Sequence, residues 1–452
     1  MSTRSLFEPV IDGGIPNPNW FEGRLLTAEA MRAKDRAERT RQRLLGRALG
    51  AGIFEGLFVT RGDPDGAGVV KTLNISKGAA INGEGEVLML SQDLTVEVVP
   101  QTTPAALAPA LFETCKTNGV ATIPSGFGIY VLLMCPASAY RERAPKSGLG
   151  TEGIVTGCGD AFAVDGVRFR TEKLEPTNIS GISDDDRGKL TALVADSGNG
   201  TSRSMLRNLI AHHCFGTPEL ARFAVDPFAR SGGASDWVEY GAIDDLKRLG
   251  RITPCDVPVA ILLWDAFGVA FLDLWAVRRS PIERATSQDW PLVAGTRREL
   301  DGKARFMQFQ AHLSELTAAS LTDGQARSAF RYLPPVGCLP LAGAGSQGGF
   351  DRDRFFAGCT TRRAAFMNGA RLLPLLDRSL AFPSIDLSPP RDAPRTELIW
   401  LYSVYENAAV LDGVIPGQAG RPLLIFANGN MPFAGDARFD VARWNYSNFS
   451  PR

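Results

Sequence analysis

Residues 257–278 constrain this chain more than any other stretch. Two apolar runs, 257–264 and 269–278, flank Asp265, Ala266, Phe267 and Gly268. Runs of this length on either side of turn residues read as the buried strands of a hairpin, with a turn of about four residues. Asp265 and Asp273 interrupt the apolar stretch 257–274, which excludes a membrane-spanning helix there. Further buried strands are expected at 128–135 and 162–169.

The N-terminal part divides sharply. Residues 1–23 read as an irregular arm, because Gly13, Gly14, Pro16 and Pro18 forbid regular helix. The arm carries Phe7, Trp20 and Phe21, large apolar groups suited to docking on the body or on a neighbour. A helix starts behind Thr27, which stands where an N-cap belongs, and Glu29 lies in its first turn. It ends near Leu49, ahead of Gly50 and Gly52. Ala30, Ala33, Ala37, Thr40 and Leu44 recur at alternating spacings of three and four, a seam of small residues that permits close helix approach. The rest of the helix holds Arg32, Lys34, Arg36, Arg39, Arg41, Arg43 and Arg47 against Glu29, Asp35 and Glu38. That stripe reads as a solvated face, or as one that pairs with acidic residues elsewhere or on a partner, rather than as a nucleic-acid site.

Short β-branched and apolar runs follow at 53–60, 69–76, 79–82, 86–90 and 94–98, with turn residues at 62–66 and 82–85. They predict a compact all-β unit. Helices are expected at 202–214, 236–250 and 300–320, the last presenting Phe306, Phe309, Leu313 and Leu316. The Asp-, Gly- and Ser-rich stretch 180–202 reads as an exposed loop. Residues 333–349 are rich in Pro and Gly, strands return at 397–406 and 422–427, and an extended tail carries Trp444, Tyr446 and Phe449. The expected class is α+β, β-rich and multidomain: an arm and assembly helix (1–52), a small β domain (53–100), a mixed α/β body (101–335), and a loop-rich β C-terminal region (336–452).

Charge and residue usage bound the partners. Over 452 residues, 49 basic and 49 acidic side chains cancel. Nucleic-acid scaffolds and polybasic membrane binders need a positive surplus, so neither is expected. Three histidines leave little general-base or metal-ligand chemistry. His212 and His213 are adjacent and on a helix would diverge by about 100°, so they do not share a metal ion readily. Asp184, Asp185 and Asp186 lack the alternating spacing of a calcium loop and read as a solvated turn. The glycine-rich 343–348 segment matches a dinucleotide pattern in letters only, since Pro340 precedes it and no helix-like pattern follows. The seven scattered cysteines show no CxxC and read as free or buried thiols of a reducing cytoplasm. Residues 1–14 have no signal-peptide core. Catalytic residues, cofactors and metals are therefore all expected to be none.

One set of segments is more specific. Residues 17–29, NPNWFEGRLLTAE, lead into the charged helix; LLGRALGAGIFEGLFVT (44–60) and ISKGAAINGEGEVLMLSQDLTVEV (75–98) follow. Later come VPVAILL and FLDLWAVRR within 257–279, FRYLPPVGCLPL (330–341) and RFFAG (354–358). Together they resemble structural proteins of phage-like contractile injection systems and contractile tails. The resemblance implies a non-enzymatic subunit at the baseplate or particle periphery, such as a fibre-like, adaptor or cage component. It also implies other particle subunits as partners, a homo-oligomer within a symmetric assembly, and synthesis and assembly in the cytoplasm as part of a particle that can be released. The candidate assembly residues are Phe7, Trp20, Phe21, Ala30, Ala33, Ala37, Leu44, Trp444, Tyr446 and Phe449. Two alternatives stand beside it. A glycan hydrolase would show paired carboxylates in a cleft. A carbohydrate- or receptor-binding module, taking a cell-surface glycan or receptor, would show Trp237, Tyr240 or Trp290 on a shallow groove.

Overall fold

The computed structural model describes residues 14–98, 127–145, 158–175, 179, 182–216, 241–281, 296–318, 326–340, 352–367, 377, 379–380, 384–387, 398–404 and 423–428. These residues are α+β and rich in strand. The chain opens on a long helix, α1 (Ala28–Leu49), and six short strands: β1 (Gly52–Gly56), β2 (Val59–Arg61), β3 (Thr72–Ile75), β4 (Gly78–Ile81), β5 (Val87–Leu90) and β6 (Leu94–Glu97). The strands form two antiparallel sheets, β1-β4-β5 and β2-β3-β6. The expected all-β unit is this pair.

The central sheet contains the constraining hairpin. Its strands are β7 (Gly128–Pro145), β8 (Cys158–Leu174), β9 (Val257–Asp265) and β10 (Gly268–Asp273), antiparallel in the order β10-β9-β7-β8. Both faces of β7 are covered, which is why 128–135 has no polar alternation. Tyr130, Leu132 and Met134 share a core with Ile53, Leu57, Leu73, Ile75 and Leu88 of the two small sheets. Ile129, Val131, Leu133 and Cys135 face the helices on the other side. These are α2 (Asp184–Ala195), α3 (Gly200–Phe215) and α4 (Ala242–Arg248), with Leu190, Leu206, Leu209, Ile210 and Leu246 in the shared core.

A third core lies towards the C-terminus. It is fed by α5 (Thr296–Ala318), α6 (Ala326–Ala329), β11 (Tyr332–Leu333), β12 (Val336–Pro340), α7 (Arg352–Phe355), β13 (Thr360–Met367), β14 (Ile385–Asp386), β15 (Leu398–Val404) and β16 (Leu423–Asn428). The sheet order is β12-β16-β15-β13, with β13 and β15 parallel and the other neighbours antiparallel. Helix α5 joins two cores: Ala304 packs with the central helices, while Phe309 and Leu313 pack with Phe330, Phe355, Phe356 and Phe426. Phe306 and Leu316 are half-buried.

Several expectations are corrected. The 257–278 hairpin turns on Ala266 and Phe267 alone, because Asp265 pairs with Gly268. Gly268 supplies the left-handed backbone (φ 86°). Asp265 Oδ1 accepts from the Phe267 N–H at 2.7 Å. Its second strand stops at Asp273, whose Oδ1 accepts from the Ala276 N–H at 3.0 Å and begins a turn. The stretch 180–202 is helical over 184–195 and again from 200. Ser183 caps the first of these helices, accepting from the Asp186 N–H at 3.1 Å, and three aspartates complement its positive N-terminus. Asp186 is buried rather than solvated. Strands β11 and β12 occupy part of the Pro-rich 333–349 stretch. Cys255 is disulfide-bonded, whereas Cys135, Cys158, Cys214, Cys338 and Cys359 are free. A single cross-link leaves no spacing pattern for a sequence to reveal. The glycine-rich 343–348 segment lies outside the described residues.

Candidate assembly interface

Helix α1 begins as the sequence predicts. Thr27 is extended (φ −104°, ψ 151°) and its Oγ1 accepts from the Ala30 N–H at 3.2 Å. Before it, the Arg24 guanidinium lies over the rings of Trp20 and Phe21, at 5.3 and 6.0 Å, and donates to the Asn19 carbonyl. This local stacking leaves Phe21 64% exposed and Leu25 82% exposed.

The small-residue seam holds only over the first half of the helix. Ala30 and Ala37 are buried and Ala33 is half-buried, but Thr40 and Leu44 are exposed. The Thr40 hydroxyl turns back to donate to the Arg36 carbonyl at 2.8 Å. The second contact is at Gly46, about 160° around the helix from Ala30 at 3.6 residues per turn. The C-terminal half thus leans a different face on the body.

The support there is the 82–86 turn. Asn82 is buried, and its Oδ1 accepts from the Glu84 and Glu86 N–H groups at 3.0 and 2.9 Å. The Gly83 N–H donates to the Pro254 carbonyl at 2.6 Å, tying the turn to the start of β9. Arg43 and Arg47 both grip Glu84, the former at 2.9 Å, and Arg43 lies 3.7 Å from Glu86. Burial pushes the Glu84 carboxyl up, but Arg47 and Arg43 outweigh it and the net shift is downward. Gly46 and Gly85 touch backbone to backbone, and Gly85 has φ 81°. A side chain at Gly85 would enter the α1 backbone and strain the turn. Gly85→Val is expected to release the C-terminal half of α1, read as amide exchange across 43–49 accelerated by at least about tenfold. Unchanged protection there would refute the contact.

What the helix does not bury is extensive. Met31, Leu44, Leu45 and Leu49 are exposed on α1, and Leu45 and Leu49 stand one turn apart on one face. On β5, an edge strand, Val87 and Met89 are exposed on either side of buried Leu88. On the opposite edge of that sheet Phe54 is also exposed. The β7–β8 pair adds a third element. Strand β9 begins at Val257 opposite Met134, just before Pro136, which has no N–H to give a neighbour. Beyond that point 135–145 and 158–167 continue as a two-stranded ribbon, about 35 Å long at the usual strand rise. Tyr140, Phe162 and Val164 are exposed along it. Arg39 of α1 reaches Asp165 on the ribbon at 3.8 Å.

The candidate residues therefore fall into three groups. Ala30, Ala33 and Ala37 line the first-half seam of α1, and Trp20, Phe21 and Leu44 stand exposed near or on the helix. Phe7, Trp444, Tyr446 and Phe449 lie outside the described residues, as do Trp237, Tyr240 and Trp290. Leu45, Leu49, Val87 and Met89 were not singled out from the sequence. The i, i+4 leucine pair on a charged helix and the alternation at 86–90 were the available signals.

Among the described residues, no group of three or more His, Cys, Asp or Glu could hold a metal ion, and no helix is long and apolar enough to cross a membrane. The three histidines sit in the packing between α3, α5 and the strand at 332. His212 stacks on Tyr332 at 3.5 Å, and His312 Nε2 is 2.8 Å from the Ser204 hydroxyl. His213 Nε2 lies 3.7 Å from Asp186, which accepts from the Tyr332 hydroxyl at 3.2 Å. Buried Arg207 pairs with buried Asp273 and with Glu315, which is partly in solvent.

No family model matches the chain, and no curated protein does. Among solved structures, the crystal structure of TssK aligns over 95% of each chain at 11% identity, with a TM-score of 0.21. A superposition that loose does not define a shared fold, and the functional reading rests on the chain's own residues.

Proposed function

We propose that this chain is a non-enzymatic structural subunit of a contractile, phage-tail-like particle, held at the baseplate or periphery through its N-terminal arm and α1. The supporting observation is the state of α1: twenty-two residues long, attached to its own body through a narrow seam and one turn, with Leu44, Leu45 and Leu49 in solvent. The exposed strand edges and ribbon beside it extend the apolar surface, and such surfaces on soluble proteins serve contacts with other proteins. The segments resembling contractile-particle proteins supply the class of assembly. In this reading residues 1–52 bind neighbours, the rest of the chain forms the body, and assembly takes place in the cytoplasm.

The test is incorporation into sedimenting particles. Leu45→Asp combined with Leu49→Asp leaves every buried contact of α1 in place. Burying a leucine contributes about 1.5–3 kcal/mol, so incorporation is expected to fall by at least about tenfold while the melting temperature is unchanged. Removing residues 1–52 is expected to abolish it. Incorporation of both variants at the wild-type level would overturn the reading.

A further inference from the structure

We propose that α1 docks on the two small β sheets of a second copy of this chain, its spare cations meeting their spare carboxylates. This rests on the proposed assembly role and names one of its partners. Helix α1 (Ala28–Leu49) carries seven basic and three acidic side chains, a net charge of +4. The sheet unit, 52–98, carries seven acidic (Glu55, Asp63, Asp65, Glu84, Glu86, Asp93, Glu97) and three basic ones, a net charge of −4. The two surfaces of one chain are thus opposite and equal within a chain of zero net charge.

Part of this complementarity is used internally. Arg43 and Arg47 take Glu84 across the two surfaces, while Arg39 is taken by Asp165 of the ribbon and Asp65 by Lys71 within the sheet unit, at 2.6 Å. Four cations of α1, Arg32, Lys34, Arg36 and Arg41, are exposed and enter no ion pair among the described residues. On the sheets, Glu55, Asp63 and Glu97 are likewise exposed and outside any ion pair among the described residues. Within one chain α1 does not bring these cations to those carboxylates: Arg32, Lys34 and Arg36 lie on its N-terminal half, and of its C-terminal half the 82–86 turn takes Arg43 and Arg47 but not Arg41. A neighbouring copy can bring them together, by the same arginine–carboxylate recognition that α1 already makes with the 82–86 turn.

Apolar groups accompany the charges on both sides. Met31, Leu44, Leu45 and Leu49 stand exposed on α1, and Phe54, Val87, Met89 and Leu94 on the edge strands β1, β5 and β6. Interfaces of this composition combine an apolar centre with a charged rim that sets register and partner choice. The contact closes reciprocally in a two-fold pair, or head to tail around a ring.

A charge exchange tests it in the full chain by sedimentation. One variant carries Arg32→Glu, Lys34→Glu, Arg36→Glu and Arg41→Glu. The other carries Glu55→Lys, Asp63→Lys and Glu97→Lys. All seven positions are exposed, so each variant is expected to melt like the wild type. The wild type is expected to self-associate, and less so as salt rises. Each variant alone is expected to self-associate at least about tenfold more weakly, and an equimolar mixture of the two to recover association, because opposite charges again face each other. A monomeric wild type, unaltered association of either variant, or a mixture that stays dissociated would overturn the proposal. If association is unaltered while Leu45→Asp with Leu49→Asp still blocks particle incorporation, α1 serves another subunit. In that case the assembly role stands and the self-docking falls.

Discussion

Asp273→Ala is expected to destabilise the central core by about 3–5 kcal/mol, the range for removing one partner of a buried ion pair. Arg207 is buried on α3, with its Nε 2.7 Å from Asp273 Oδ2 and its Nη1 2.7 Å from Glu315. Burial pulls the Arg207 guanidinium down, but Asp273 and Glu315 together outweigh it and hold it above its ordinary value. Asp273 also accepts from Gln308 Nε2 at 2.9 Å and from the Ala276 N–H at 3.0 Å. Truncation would leave a guanidinium edge, an amide and a backbone N–H without an acceptor in a site closed to water. Glu315 cannot substitute, because its side chain is 61% exposed and binds the other side of the fork. Chemical denaturation measures the effect. Two controls separate charge from shape. Glu315→Ala should cost no more than about 1 kcal/mol, as exposed pairs do. Arg207→Met combined with Asp273→Leu should cost less than Asp273→Ala alone, since no charge is then stranded. A loss below about 1 kcal/mol for Asp273→Ala would mean that the pair of Arg207 and Asp273 is not buried as described.

Asp273 also shows what the sequence could and could not disclose. Its presence in an apolar run excluded a membrane helix, but its role as the acceptor for Arg207 depends on a residue 66 positions away. Elements with a local cause were legible. Thr27 and Gly50 bound α1, alternation marks the small strands, and the apolar runs of β7 and β9 announce a sheet covered on both faces. The ribbon beyond Met134 was legible only in its second strand, where 162–169 was expected as a buried strand but Phe162 and Val164 stand exposed. In the first strand the apolar run ends at Cys135, and the charged Arg141, Glu142 and Arg143 leave nothing in 136–145 to mark a strand exposed to solvent. Helix α2 was hidden by its composition, because the aspartates that favour a helix N-terminus also favour turns. The seam of α1 was legible as far as Ala37. Beyond it, what the helix buries is set by where the 82–86 turn stands, and spacing within the helix carries no record of that. Of the candidate site, the small-residue seam and the charge excess were visible. The carboxylates that mirror the excess lie in a different element, so no scan of α1 alone finds them.

Acid should unfold this protein early, from about pH 6.5 downward. His212 and His312 are both held well below the ordinary histidine value of 6.5, chiefly by burial. His213, Arg305 and Arg331 add repulsion at His212, and Arg207 adds it at His312. Hydrogen bonding points the same way at His312. The Ser204 hydroxyl donates to the Ala329 carbonyl at 3.0 Å, so the 2.8 Å contact to His312 requires an Nε2–H that donates to Ser204. His312 Nδ1 is buried without a partner, beside the Phe330 ring. Protonation would place a second N–H there with nothing to accept it. His213 is also lowered by burial, against the pull of Asp186. These folded-state values lie below the unfolded ones. Stability from the neutral rings is therefore complete above the unfolded value, and is lost as pH falls beneath it and the unfolded chain takes up protons first. Two such groups give a slope approaching about 2.7 kcal/mol per pH unit. Salt-bridged carboxylates such as Asp256 and Glu84 are also shifted downward, and they contribute losses only nearer their own ordinary values of 3.8 and 4.5. The window between pH 6.5 and 5 therefore belongs to the histidines. His312→Gln keeps a donor for Ser204, and His212→Phe keeps a ring on Tyr332. Denaturation midpoints of the double variant should flatten across that window, while the wild type declines steeply. Parallel profiles for the two proteins would show that the buried rings do not carry the pH dependence.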